Sequence, residues 1–548
     1  MEESAKAILS CWSAMVGERS PWDSLWQEAA DFSLPRKGTI NRNENGPGRN
    51  SANALYDTTA IEACGILASG HSAAITPMGS AWFSWEAPEE VKSDEADAWY
   101  NMASERALKV LASGNCYTSL QECFEDRSGF GIGFIGAMPS PERKISFQAH
   151  PVGSFCIEEN SDGDVDTVYR YREYSIRQLV QLFGEAVVTA SPKLSAAWQK
   201  FRDKGIDTPT GVIHAVFPRL ERAADKTDAL SLPWASVWIT DDGKTTLQRS
   251  GFAELPYCVT RYLRRTGSRQ QYGYGPFEQV RAAVEDAQKL KQILRVVGQK
   301  IAVPPIIVPE NLIGNVDTRP GGRTVVRANS MLPTEWLTKG NPDGLFEQLQ
   351  DARATIRAAY HTDLFKMFSD REKQMTAREV SELAAEKLMP FSPSFTRFTA
   401  DFRVMMERIF AILFRAGSFG TMDTIPAAVI IQTRNGREVP PPKIVYQSRI
   451  ALAIRQTESA AGDRMVERAI GVAQIAPEVF DNIDLDAWIK GAGRNDGVSE
   501  AWIVPEKTRD ERRQKRAEAQ AQQQQLEQAK LAAEAAQKAG IQAPTMEA

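Results

Sequence analysis

PFEQVRAAVEDAQKLKQILRVVGQKIA, residues 276–302, decides how the rest of this chain is read. Pro276 suits the first position of a helix, and only Gly298 weakens the pattern before Pro304-Pro305 stops it. Val280, Val284, Ala287, Leu290, Leu294, Val297 and Ile301 recur three or four apart, which makes one apolar stripe along about 39 Å of helix. The opposite face is net basic, with Arg281, Lys289, Lys291, Arg295 and Lys300 against Glu278, Glu285 and Asp286. From Val303 to Pro342 the character changes. Pro304, Pro305, Pro309, Pro320, Gly321, Gly322 and Pro333 break up the short apolar runs Ile306 to Val308 and Thr324 to Val326, which predicts a small strand-and-turn module. Asp343 is then a good N-cap for a second helix whose stripe is Leu345, Leu349, Ala352, Ile356 and Ala359. Two amphipathic rods thus bracket a compact insert. Two rods alone bury such stripes poorly, so neighbouring copies of the chain are expected to cover the remainder.

The N-terminal side is mixed. Helical periodicity over Glu3 to Met15, Pro21 to Phe32, Asn53 to Ala74, Glu95 to Gly114, Tyr117 to Arg127, Ile176 to Phe183 and Leu194 to Phe201 alternates with β-rich stretches. These are Phe134 to Met138, Ile145 to His150, Phe155 to Glu159, Val165 to Tyr174, Gly211 to Arg219, Ser236 to Asp241 and Thr245 to Gly251, with hairpin dipeptides at Asp162-Gly163 and Asp242-Gly243. The region reads as α+β rather than as βαβ repeats. On the C-terminal side, Lys366 to Met375 is polar and breaks the pattern, and Thr376 with Glu379 forms a capping box for a further helix. Pro390 and Pro393 should split that helix before it resumes from Phe395 to Ala416 and ends at Gly417. A Pro-rich β-like stretch, Ile425 to Val445, leads to helices over Ser448 to Val472 and near Pro477 to Ile489. Glu506 to Ala539 is nearly all Ala, Gln, Glu, Lys and Arg, with only Leu526 and Leu531 as larger apolar residues, too few for a coiled-coil seam.

With 548 residues, 43% hydrophobic and 25% charged, the chain is long enough for two to four packed regions, and the expected class is helix-rich α+β. The first dozen residues carry Glu2, Glu3 and Lys6 and lack a basic leader, and apolar runs such as Ala427 to Ile431 fall far below the roughly 20 residues that span a bilayer. A soluble protein with no membrane partner is expected. Cys11, Cys64, Cys116, Cys123, Cys156 and Cys258 are scattered without a C-x-x-C pair, which favours buried thiols over a zinc site or disulfides. A net charge of −5 argues against a surface that grips nucleic acid throughout, while leaving room for a local basic lining.

Motifs for chemistry are weak. Gly131-Ile-Gly-Phe-Ile-Gly136 matches G-x-G-x-x-G, but a helix precedes it and a strand follows, the reverse of a dinucleotide site, so a tight helix-to-strand turn is expected. Gly243-Lys-Thr-Thr246 resembles the end of a P-loop, yet Trp238 stands where that loop requires Gly, and a hairpin turn is expected. No metal, cofactor, catalytic residue or enzymatic activity is expected. Arg261, Arg264, Arg265 and Arg269 form a dense cluster that could meet an anion or acidic residues of a neighbouring subunit.

The remaining landmarks resemble the podovirus-type head-to-tail connector, or portal, family. Arg19-Ser-Pro-Trp22 with Trp26 and Leu34-Pro35 resembles its opening motif, and Leu55-Tyr-Asp-Thr-Thr59, Leu67-Ala-Ser-Gly-His-Ser72, Ile75-Thr-Pro77 and Trp82-Phe83 resemble its next block in order and spacing. Gly273-Tyr-Gly-Pro276, Pro304-Pro305, Met375-Thr-Ala-Arg-Glu-Val380 and Glu386-Lys387 are similar to its later landmarks, so the resemblance runs from Arg19 to Gly417. It implies a homo-oligomeric ring, typically a dodecamer, through which double-stranded DNA is packaged and ejected at one capsid vertex of the virion. It also implies a wing (1–275), stem helices (276–302 and 343–365) around a clip (303–342), a tunnel loop (366–375), a long wing helix with a β-rich return (376–447) and a crown with a C-terminal tail (448–548). The implied partners are the terminase large subunit, a tail adaptor or tail tube protein, and the major capsid and scaffolding proteins, with assembly in the host cytoplasm. Within that frame Lys289, Lys291, Arg295, Lys366, Arg371 and Lys373 are expected to line the DNA channel, and Arg319, Arg323 and Arg327 to dock partners on the clip. The alternative is a virion scaffold protein with no channel.

Overall fold

The structure is a computed structural model that describes residues 3–37, 40, 55–219, 221, 228–265, 271–304, 306–308, 310, 316–317, 325, 334–335, 342–366, 392–433, 436–447, 462, 464–472, 477–495, 504 and 506–538. It opens with one helix, α1 (Ala5–Ser33), where the sequence suggests two with a break before Pro21. Met15, Arg19, Trp26, Ala29 and Ala30 are buried on either side of Pro21. That burial outweighs the roughly 3 kcal/mol that an interior proline costs. Helix α2 (Thr59–Ile75) starts later than the periodicity from Asn53 suggests, and just before it Asp57 accepts a bond from the Thr59 backbone N–H at 3.0 Å. Strand β1 (Phe83–Glu86) follows, then α3 (Asp94–Ser113) and α4 (Cys116–Phe130).

Helix α4 ends at Gly131, whose φ of 76° is left-handed, and the chain turns straight into β2 (Ile132–Ser140). A Cβ at Gly131 would stand 2.2 Å from the backbone of Tyr274 and Gly275, so the first glycine of the G-x-G-x-x-G string serves a tight turn and a close backbone crossing. β2 is the centre of a three-stranded antiparallel sheet, between β3 (Lys144–Ala149) and β9 (Tyr257–Arg261). A second antiparallel sheet takes β4 (Phe155–Glu159), β5 (Val165–Tyr174), β6 (Thr210–Pro218), β7 (Trp234–Thr240) and β8 (Thr246–Phe252) in chain order. Its hairpins turn at Gly163 (φ 84°) and Gly243 (φ 63°), the two Asp-Gly sites. Between β5 and β6, α5 (Ile176–Phe183), α6 (Glu185–Thr189) and α7 (Pro192–Lys204) form a small helical cap with its own apolar cluster.

Next come α8 (Pro276–Ala302), β10 (Ile306–Ile307) paired antiparallel to β11 (Thr334–Glu335), α9 (Asp343–Ala359) and α10 (Thr362–Lys366). Helix α11 (Ser392–Arg415) carries Pro393 in its first turn, where no helical bond is lost, and ends before Gly417 at φ 69°. β12 (Ile431–Thr433) and β13 (Gly436–Glu438) form a hairpin, and β14 (Lys443–Tyr446) pairs with β1, Phe83 opposite Tyr446. Among the described residues that follow are α12 (464–472), α13 (Leu485–Asn495) and α14 (Glu506–Lys538), which is exposed over residues 510–531. No described helix is long and apolar enough to cross a membrane. The fold is helix-rich α+β, and Cys64, Cys116, Cys123, Cys156 and Cys258 are buried thiols within it.

One continuous core joins α1 to α4, the three-stranded sheet, the near half of the α8–α9 pair and α11. Two buried arginines tie its layers together through carbonyl oxygens. Arg127 donates to Ser394 O at 2.7 Å, Ser394 Oγ at 2.9 Å and Arg261 O at 3.3 Å, and Arg408 donates to Ala137 O at 2.9 Å. The arginine cluster that could have faced another subunit is partly spent inside the chain. Arg261 pairs with Glu159 and Asp401, Arg264 reaches the same Glu159 at 2.5 Å, and Arg265 stacks on Tyr274 with its guanidinium 4.4 Å from the ring centre. Arg269 lies outside the described residues.

Candidate nucleic-acid channel and subunit interface

The root of α8 is set by its cap. Glu278 accepts the Gly275 backbone N–H at 2.7 Å and holds the helix start against the Gly131 turn. Burial pushes the Glu278 carboxyl up to about 7, and its Oε1 is buried with no hydrogen-bond partner among the described residues. One turn in, Val280 departs from helical geometry (φ −119°, ψ 17°) and bends the helix. Beyond it, Val284 and Ala287 of α8 bury against Leu349, Ala352 and Ile356 of α9, as the two stripes predict.

A polar joint fixes this pair to the rest of the chain at the Leu55-Tyr-Asp-Thr-Thr59 string. Gln288 Oε1 accepts the backbone N–H groups of Tyr56 at 2.8 Å and Asp57 at 3.0 Å, and Gln288 Nε2 donates to Asp57 O at 2.7 Å. Arg353 of α9 donates from Nε at 2.9 Å and Nη2 at 2.6 Å to the buried Asp57 carboxylate. Burial alone would raise the Asp57 carboxyl, but bonds from Thr59 and Arg353 hold it below the usual carboxylate range. Neither Gln288 nor Arg353 stands out in the sequence by charge or periodicity. Their shared level on the two facing helices emerges only from the structure, where both bond Asp57.

Past the joint the pair loses its cover. Ile293, Val296, Ile301 and Val303 are 46%, 43%, 57% and 70% exposed, and Phe346 of α9 is 53% exposed. A chain with a closed core does not leave such a run to water. A groove between the helices, at the level of the joint, is lined by Ala283, Asp286, Lys289, Leu290, Gln348, Asp351, Ala352 and Thr355.

The expected lining residues do not share one face. Turning 100° per residue, Arg295 lies within about 20° of Gln288 and Lys291 about 60° away, while Lys289 is rotated about 100° in the opposite sense. Lys289 is exposed and has Glu285 at 3.5 Å, Arg295 is exposed, and Lys291 is half-buried. Lys366 closes α10, and Arg371, Lys373, Arg319, Arg323 and Arg327 lie outside the described residues. No group of three or more His, Cys, Asp or Glu able to hold a metal occurs among the described residues.

A portal protein of Salmonella phage epsilon15 is 26% identical over 540 residues, covering 94% of this chain and 92% of its own, and a probable portal protein of Bordetella phage BPP-1 is 28% identical over 513 residues, covering 91% and 89%. Among solved structures, the neck of an empty GTA particle, computed with C6 symmetry, aligns at 9% identity over 71% of this chain and 95% of its own, with a TM-score of 0.32. The family model for the bacteriophage head to tail connecting protein matches residues 5–504, and the chain belongs to that family.

Proposed function

We propose that this chain is the portal subunit of a double-stranded DNA phage, a structural component rather than an enzyme, whose copies close into a ring at the head-to-tail junction of the virion. The observation that carries the reading is the uncovered outer half of the α8–α9 pair, in a chain that matches the connector family from residue 5 to residue 504. The pair is the stem, residues 303–342 the clip, the α+β region before Pro276 the wing, and the helices after Tyr446 the crown. The genome passes through the ring during packaging and again during ejection. The clip, with Arg319, Arg323 and Arg327, meets the terminase large subunit first and a tail adaptor or tail tube protein afterwards, and the wing meets capsid and scaffolding proteins.

A conduit must pass DNA without holding it. Each cation that neutralises a phosphate adds salt-dependent affinity, so a densely basic bore repeated around a ring would grip. A chain of net charge −5 with a few cations turned to the hole suits passage better. Of the α8 cations, Lys289 stands at the rim of the groove beside α9, with Lys300 about 20° from it around the helix. Together with Lys366, Arg371 and Lys373 it supplies sequence-independent phosphate contacts. Lys291 and Arg295, on the other side, are assigned to the contact between subunits.

Light scattering and negative-stain imaging of the purified chain test the reading. Ring particles with a central hole, formed without other proteins, are expected. A monomer at micromolar concentration, or a compact oligomer with no hole, would overturn it in favour of a scaffold protein.

A further inference from the structure

Gln288 and Arg353 both bond Asp57, so they mark one level on the two helices. The β10–β11 pairing beyond the end of α8 shows that α9 returns along it. Heights above that joint follow at 1.5 Å per residue: Phe346 lies at about 10.5 Å, Ile293 at about 7.5 Å, Leu294 at about 9 Å and Val297 at about 13.5 Å. Orientation separates them. Phe346 lies within about 20° of the joint side of α9, whereas Ile293, Leu294 and Val297 lie about 120–180° away from the joint side of α8, next to the groove. The first is an apolar knob and the second an apolar row, half-buried to 46% exposed, on opposite flanks of one helix pair. Charge divides in part the same way: Lys291 and Arg295 stand on the knob side, and Asp286 and Asp351 line the groove together with Lys289.

A patch that differs from its partner surface cannot form a two-fold contact with itself. It makes a head-to-tail contact, and a head-to-tail contact that closes is a ring. Rotation about an axis along the stem preserves height, so the knob of one copy arrives at the level of the row on the next. We propose that Phe346 of each subunit seats against Ile293, Leu294 and Val297 of the neighbouring copy, with Lys291, about 4.5 Å above the joint, facing the neighbour's Asp351, about 3 Å above it. This rests on the ring reading and names the residues that close it.

The test uses the full chain with Phe346→Glu, Ile293→Glu and Phe346→Leu, each checked for wild-type circular dichroism, and reads mass by mass photometry. Each Glu variant alone is expected to weaken the contact at least about thirty-fold, the loss typical of a central anchor, and to stay monomeric where wild type forms rings. Phe346→Leu keeps rings. Mixed in equal amounts, the two Glu variants should stop at a dimer, because each retains one intact flank and the pair has no further sound surface. Rings from Phe346→Glu alone, or a mixture that yields no dimer, would overturn the assignment. Wild-type chain that is itself monomeric would instead overturn the ring reading beneath it.

Discussion

Replacing Arg353 by Met tests whether the joint at Asp57 holds the stem pair to the wing. The change keeps most of the side chain's length and removes the charge, which leaves the Asp57 carboxylate, 3% exposed, without its 2.6 Å and 2.9 Å partners. Stranding one member of a buried pair costs about 3–5 kcal/mol, and the 20% exposure of the Arg353 side chain places this case near the lower end. About 3 kcal/mol corresponds to roughly a hundredfold in a local opening equilibrium. Hydrogen–deuterium exchange should therefore speed up by that order in peptides covering the start of α2 and the middle of α8, with the five-stranded sheet unchanged. The double variant Asp57→Asn with Arg353→Met should recover most of the loss, since no buried charge is left unpaired. Asp57 is held below its ordinary value, so the interaction is fully present above about pH 4 and fades as pH falls through the lowered value. Exchange rates within threefold of wild type at neutral pH would refute the idea that this pair anchors the stem.

Other consequences are independent of the joint. Gly131→Ala forces a side chain into a left-handed position 2.2 Å from backbone and should cost about 3 kcal/mol or more by chemical denaturation, whereas Gly17→Ala, with nothing within 4 Å, should be neutral or stabilising by up to about 1 kcal/mol. Glu278 has its carboxyl raised to about 7, so the folded state binds the extra proton and stability should fall as pH rises from about 4.5 to 7; Glu278→Gln should flatten that slope, and an unchanged slope would contradict the burial argument. Lys289→Gln should weaken duplex binding by the assembled ring equally for all sequences and lower its salt dependence, read by fluorescence anisotropy across a salt series.

The sequence carried local order well and long-range contacts poorly, for physical reasons. Helix α8 was legible because proline and a stripe mark its start and face, and β4, β5 and α5 because alternation and turn residues bound them. Pro21 suggested a helix break since its local cost is visible and the burial of Trp26, Ala29 and Ala30 around it is not. β1 and β9 escaped notice because each is four or five residues long and is defined by a distant partner, β14 in one case and β2 in the other. The same holds for the site. Lys289 and Arg295 were visible as charges, but their division between two faces needed the joint, and that joint is built from Gln288 and Arg353, residues that an unaided pattern search passes over. The glycine string and the arginine cluster both had structural explanations, a turn in one case and intramolecular pairing with Glu159 and Asp401 in the other.

Cryo-electron microscopy of the assembled particle, tracing where residues 276–302 lie relative to the symmetry axis, tests the central claim most directly. The account predicts a closed ring in which these helices surround an open hole, Lys289 turned toward it and the outer stem halves packed copy against copy. Particles with no hole, or with this helix on the outer rim and its apolar row in solvent, would contradict it.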